Sequence, residues 1–178
     1  AAAPTWTIKQ GFAFNGSTQY LNTGLRLQNL ADVELSNISM FVKPDTTDQA
    51  TGRLAIGDGA YALGPNITAS TFSVRGGAST ADTISGAAYG NLAGVRRTSP
   101  TTFDTFTAGG FVSTVTKNVL SSWLANDLLI GCTVASAVPA SFYAGQIRVA
   151  GVGTALTNEQ FAALNTAITT YLTDIAGL

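Results

Sequence analysis

The sequence predicts an all-β fold, an antiparallel jelly-roll sandwich of two sheets closed by a single C-terminal α-helix. Three observations predict it. Short runs of alternating apolar and polar residues recur along the chain, which is the period-2 signature of half-buried strands. The 19 glycines fall between those runs, where turns are needed. Only the segment after Thr157 carries apolar residues at helical spacing. Around a dozen short strands can each bury a face only if two sheets pack together.

The elements follow in order. Phe12 and Phe14 alternate with Ala13 ahead of Asn15-Gly16, a hairpin-turn pair, and Tyr20-Leu21 begin the expected returning strand towards Leu25 and Leu27. Ile38, Met40 and Val42 share one strand face that stops at Pro44-Asp45. Leu54 and Ile56, then Tyr61 and Leu63, flank Gly57-Asp58-Gly59 as a second hairpin. Phe72 and Val74 run into the Arg75-Gly76-Gly77 turn, and residues 78–92, small and polar, read as a short strand plus a loop. Residues 94–97 read as a strand, and residues 103–106 and 111–117 as a hairpin about Ala108-Gly109-Gly110. Trp123-Leu124 lie in a loop or helical turn before a strand over 128–134. In the strand over 146–150, Ile147 and Val149 alternate with Gln146 and Arg148. Thr157 and Gln160 form a capping box, and Phe161, Leu164, Ile168, Tyr171 or Leu172, and Ile175 place the helix at about residues 158–175. No repeat or linker divides the chain, so residues 1–178 read as one domain.

Composition removes several classes of function. Hydrophobic residues make up 46% and charged ones 11%, which argues against disorder. A net charge of -1 supplies no field for gripping phosphate backbones, so nucleic acid is not an expected partner. Arg96-Arg97, the only basic doublet, reads as a solvated strand or loop. No apolar stretch has membrane-spanning length, and no signal segment opens the chain; Ala1-Ala2-Ala3 fits either a removed methionine or a cleaved leader. The lone Cys132 can form no intrachain disulfide and reads as a small buried hydrophobe.

The absence of histidine excludes Ser-His-Asp and Cys-His catalysis and any histidine metal site. The only glutamates are Glu34 and Glu159, too few and too scattered for a paired-carboxylate glycosidase. Asp32-Val33-Glu34 puts two carboxylates on one strand face, read as an exposed edge. The glycine pattern beginning at Gly57 is not a dinucleotide site, because Leu63-Gly64-Pro65 blocks the helix that site requires. An enzyme is not expected.

Four segments carry a resemblance. They are the opening Phe14-Asn15-Gly16-Ser17-Thr18-Gln19-Tyr20-Leu21, the strand Ile38-Ser39-Met40-Phe41-Val42-Lys43-Pro44, the hairpin over 103–115, and a closing pattern. The closing pattern joins Leu129-Ile130-Gly131, Phe142-Tyr143-Ala144-Gly145-Gln146-Ile147 and Ala155-Leu156-Thr157-Asn158-Glu159-Gln160. In this order they resemble the laminin-G-like, concanavalin-A-like jelly-roll family, including its bacteriophage structural members. The resemblance implies a non-enzymatic virion structural protein on the outer surface of a tailed phage: a capsid decoration, head fibre or tail component. Identical subunits, with a trimer as one arrangement, and major capsid or tail proteins would be its partners. A host glycan is a further implied partner. The alternative is a freestanding, extracellular carbohydrate-binding or adhesion module.

Many members of the family bind calcium through loop carboxylates, and Asp58 and Asp104 are the candidate ligands here. No other cofactor is expected. Sugar binding calls for exposed aromatic rings, and Trp6, Tyr61, Tyr89 and Trp123 are the candidates, with Asp58 and Asn91 as hydrogen-bonding companions. The competing expectation is that these rings pack in the core or at its rim.

Overall fold

In the computed structural model, Ile38, Met40 and Val42 are all buried, and the residues between them face the other way, as a strand pressed between two layers requires. The structure describes residues 3–7, 11–30, 33–45, 53–66, 71–78, 80–85 and 90–176. Its strands are β1 (Thr5–Thr7), β2 (Gly11–Asn15), β3 (Leu21–Asn22), β4 (Ile38–Pro44) and β5 (Ile56–Gly57). Next come β6 (Tyr61–Asn66), β7 (Thr71–Gly76), β8 (Asp82–Ser85), β9 (Ala93–Arg97) and β10 (Thr102–Thr107). The last are β11 (Gly110–Thr116), β12 (Leu129–Ile130), β13 (Thr133–Ala135), β14 (Val138–Ala140) and β15 (Ala144–Gly153), followed by α1 (Asn158–Ala176).

Two large antiparallel sheets result. One has the order β1-β2-β15-β4-β9-β10-β11, and the other β3-β12-β5-β6-β7-β8. A small ribbon, β13-β14, stands beside the second. The inner faces meet through Met40, Val42, Val95, Phe103 and Ile147 from the first sheet and Ile56, Leu63, Phe72 and Val74 from the second. Burying each of these side chains contributes roughly 1.5–3 kcal/mol, enough to fix which face points inward. The two-sheet all-β class with one C-terminal helix is the expected one.

The helix begins where the capping box places it. Gln160 N–H donates to Thr157 Oγ1 at 3.2 Å, and Thr157 N–H donates to Gln160 Oε1 at 2.7 Å. Phe161 then drives the helix onto the outer face of the seven-stranded sheet. Its ring stacks on Phe106 at 4.1 Å, over Gly94, where a Cβ would sit 2.6 Å from that ring. No helix is long and apolar enough to cross a membrane among the described residues.

Three local expectations need correction. Asn15-Gly16 does not make a hairpin. The Asn15 Oδ1 accepts the N–H groups of Ser17, Thr18 and Gln19, and this turn carries the chain across to the other sheet, where β3 pairs with β12. The strand expected over 128–134 is broken at Gly131, which takes φ 88° and lies so close to the Phe14 ring that a Cβ would strike it. Finally, Arg96-Arg97 is not solvated. Arg96 pairs with Asp104 and lies 5.1 Å over Phe106. Arg97 is 0% exposed, and its guanidinium donates to the carbonyls of Gly76, Ser99 and Lys117. Cys132 is buried as expected, and burial pushes its thiol up to about 12.

Candidate functional site

A groove of about 310 Å³ opens beside β3 and β12, bordered by the β13–β14 ribbon. Its construction starts with the turn after β3. Asn22 Oδ1 accepts the Gly24 N–H at 2.8 Å, Thr23 Oγ1 donates to the Leu128 carbonyl at 2.7 Å, and the Leu128 N–H returns to the Leu25 carbonyl at 2.7 Å. The turn thereby clamps the chain entering β12 and brings Arg26 back over Asp127.

Asp127 is the centre of the polar array. Its Oδ2 accepts from Asn22 Nδ2 at 2.9 Å, and its Oδ1 accepts from Arg26 Nε at 3.1 Å. Those two interactions, the Asn22 hydrogen bond first, hold the Asp127 carboxyl below its ordinary range, so it stays ionised. Arg26 is thereby oriented while remaining largely exposed. Tyr20 forms one wall, braced by Phe142 at 6.2 Å. Asn126 forms part of another, anchored by its Nδ2 donating to the Asp58 carbonyl at 2.9 Å.

The β13–β14 ribbon contributes Ala137 and Pro139 to the groove. Its two-residue turn holds Ser136 and Ala137 at φ 49° and 62°, a conformation that favours Asn-Gly. Left-handed backbone at a residue with a Cβ costs roughly 1–2 kcal/mol, and such strain gathers where a wall must be held in place.

A guanidinium, an ionised carboxylate, two amides and an aromatic ring thus share one open concavity. Donors and acceptors side by side suit a ligand rich in hydroxyls. Among the described residues, Asp127 is the carboxylate that lines the groove. Among the described residues no group of three or more His, Cys, Asp or Glu is placed to hold a metal ion.

Of the described residues singled out from sequence, none lines this groove; Tyr61, Trp123 and Asp58 are brought together, but as packing, while Trp6, Asn91 and Asp104 lie apart from them. Tyr61 is 1% exposed, its hydroxyl donating to the Leu35 carbonyl, and burial pushes that hydroxyl above its ordinary range. It offers no ring face to a ligand. Trp123 packs half-buried against it at 5.9 Å. Asp58 is 0% exposed, and its Oδ1 accepts the N–H groups of Ala60 and Tyr61 at 2.9 and 2.8 Å. Asn91 is half-buried in the bend before β9, and Tyr89 lies outside the described residues.

Among the described candidate rings, Trp6 is the exposed one, 58% accessible and 4.9 Å from Phe12. It stands at a cleft of about 190 Å³ that also takes in Leu21 and Ile130. Leu21 points oppositely to Tyr20 and Asn22 along the strand, so the cleft and the groove lie on opposite faces of β3. The two calcium candidates belong to different sheets. Asp58 is sealed in the β5–β6 turn, and Asp104 sits on β10 in the other sheet, taken by Arg96 and Thr114.

The groove residues Tyr20, Asn22, Arg26, Asn126 and Asp127 are not among the residues expected from sequence. One signal was available. In a chain with 11% charged residues, Arg26 and Asp127 are opposite charges at the two ends of short apolar strands.

No protein-family model and no curated protein sequence matches this chain. Solved structures do. The chain is similar to the CBM40 of the Ruminococcus gnavus IT-sialidase, with a TM-score of 0.64 at 13% identity, covering 88% of this chain and 96% of that one. The same CBM40 bound to α2,3-sialyllactose matches with a TM-score of 0.60 at 15% identity and the same coverage. A Trypanosoma rangeli sialidase mutant displaying trans-sialidase activity matches at 0.60 and 12% identity, over 88% of this chain and 27% of that one. At these identities the likeness establishes the fold, a β-sandwich of the concanavalin-A-like kind.

Proposed function

We propose that this chain is a non-catalytic glycan-binding module that takes a saccharide in the groove beside β3 and β12. The observation that carries the reading is the Asn22–Asp127–Arg26 array held next to Tyr20. Asp127 occupies the Nε edge of Arg26 and so directs the guanidinium, whose planar fork matches a carboxylate in two-pronged fashion. The Tyr20 ring and the amides of Asn22 and Asn126 would meet the sugar's C–H face and hydroxyls. The structural likeness to sialyllactose-bound domains makes acidic saccharides the first ligands to try.

Calorimetric titration with α2,3- and α2,6-sialyllactose, and with lactose as the uncharged control, tests this. Arg26→Ala and Asp127→Ala should each weaken binding at least about tenfold, the loss of one charge-assisted hydrogen-bond pair. Trp123→Ala should leave it unchanged. Absence of binding to every saccharide, or equal binding by wild type and Arg26→Ala, would remove the proposal. Mounting on a phage particle, as the family resemblance implies, is a separate proposal about setting. Stoichiometric recovery with intact virions would support it, and recovery free of any particle would count against it.

A further inference from the structure

The second concavity of interest lies on the opposite side of the molecule, between α1 and the outer face of the seven-stranded sheet. Its origin is a β-bulge. Ile147 pairs with Pro44 and Val149 with Lys43, so Arg148 is the extra residue on β15. A bulge redirects a side chain that regular pairing would aim elsewhere. The chain is shaped to accept this one: Gly11, at φ 87°, lies so close that a Cβ would be 2.2 Å from the Ile147 carbonyl oxygen and 3.0 Å from the Arg148 Cα. Only glycine suits that position.

Arg148 and Lys43, from neighbouring strands, both line a groove of about 330 Å³ whose other wall is the C-terminal half of α1, including Thr169, Leu172 and Thr173. Arg148 contacts the Asp45 carboxylate at 2.6 Å, yet its buried Nε has no hydrogen-bond partner. Asp45 pairs directly with Arg148, and its charge also acts on the half-buried Lys43. Burial first, and the Arg148 charge second, press the Lys43 ammonium below its ordinary range, against the opposing pull of Asp45. Crowding like charges in a half-dry groove costs free energy that an incoming anion would return.

From this geometry we infer a second binding site, for a single oxyanion group such as a sulfate or a carboxylate, held by Lys43 and Arg148 under the helix. It stands independently of the first groove. The chemistry accommodates a free inorganic anion or the acidic substituent of a larger saccharide. The competing explanation is that the two cations merely offset the negative C-terminal end of α1, whose last turn carries no basic residue.

The test titrates the full chain with sodium sulfate, and in a parallel arm with glucuronate, at ionic strength fixed with chloride. Amide shifts are followed by NMR and the melting temperature is recorded. Saturable shifts at Lys43, Arg148 and residues 169–173 are expected, with at least tenfold weaker binding at these residues in Lys43→Gln. Thr169→Glu, which supplies a tethered carboxylate, should abolish the sulfate response and raise the melting temperature. Saturation by sulfate alone assigns a free-anion site, and tighter binding of glucuronate assigns a saccharide substituent. Non-saturating shifts, or the same response in Lys43→Gln, would overturn the inference. So would a Lys43→Gln variant that loses stability while sulfate leaves the wild type unmoved.

Discussion

Two regions of this molecule use the same side chains for opposite ends. At the edge of the six-stranded sheet, Arg26 and Asp127 satisfy one another and stay open to solvent. In the interior, Arg97 and Asp58 are both 0% exposed, and the partners each has are backbone groups: three carbonyls for Arg97, and two N–H groups on Oδ1 of Asp58, whose Oδ2 is buried without a partner. A charge whose partners are backbone groups ties strands together and has little left for a ligand. A charge whose partner is another mobile side chain can still be recruited. Partner type, more than residue type, separates structural from ligand-facing charge here.

That contrast can be broken most forcefully at Arg97. Arg97→Ala leaves three carbonyls without their donor and opens a void against Phe103, and should cost roughly 4 kcal/mol in urea unfolding. Arg26→Ala, exposed at the surface, should change stability by under about 1 kcal/mol. Similar losses in the two variants would dissolve the distinction. Asp58→Ala comes next, at roughly 2 kcal/mol, for two buried N–H groups left unpaired.

The pH dependence sharpens the same comparison, because the two aspartates pull in opposite directions. Burial holds the Asp58 carboxyl above its ordinary 3.8, opposed by the N–H groups of Tyr61 and Ala60. The native state therefore binds more protons than the unfolded chain between 3.8 and the raised value, and stability falls as pH rises through that window. Asp58→Asn, which keeps the accepting oxygen, should flatten this fall. Asp127 lies below 3.8, so its contribution is present above that value and is lost as pH falls through the lower native one. Asp127→Asn should flatten the acid limb. Urea titrations from pH 2.5 to 8 read both slopes, and slopes of equal sign would contradict the assignment.

The smallest effect concerns the groove wall. Replacing Ser136-Ala137 by Asn-Gly should add about 1 kcal/mol of stability by relieving left-handed backbone at two positions. If the strain holds the wall in place for a ligand, the same change should weaken saccharide binding severalfold by calorimetry. Unchanged binding would reduce the turn to a stability defect.

What could be read along the chain was whatever neighbouring residues decide among themselves. The capping box at Thr157, the hairpin about Gly109 and the alternation in β4 are settled within a few residues, and each stands as read. Asn15-Gly16 misled because turn chemistry fixes a local bend, whereas the partner of the next strand is chosen by packing. Arg97 misled because its three carbonyl partners leave no trace in a pattern of side chains. The groove was invisible for a related reason: Asn22 and Asp127 are 105 residues apart, and only the β3–β12 pairing brings them together. A ring beside a turn reads as exposed, but Tyr61 follows a turn that is itself buried.

The solitary thiol of Cys132 has an experimental use. It is sealed in a small cluster with Leu129 and Val134, immediately behind Tyr20 and the β13–β14 ribbon. A thiol that stays protonated at neutral pH and is shut away from reagent can be alkylated only during excursions that open its surroundings. Labelling speed under native conditions thus becomes a clock for one corner of the protein, set against the free energy of complete unfolding. If that corner breathes on its own, modification will outpace global opening and slow when a saccharide occupies the adjoining groove.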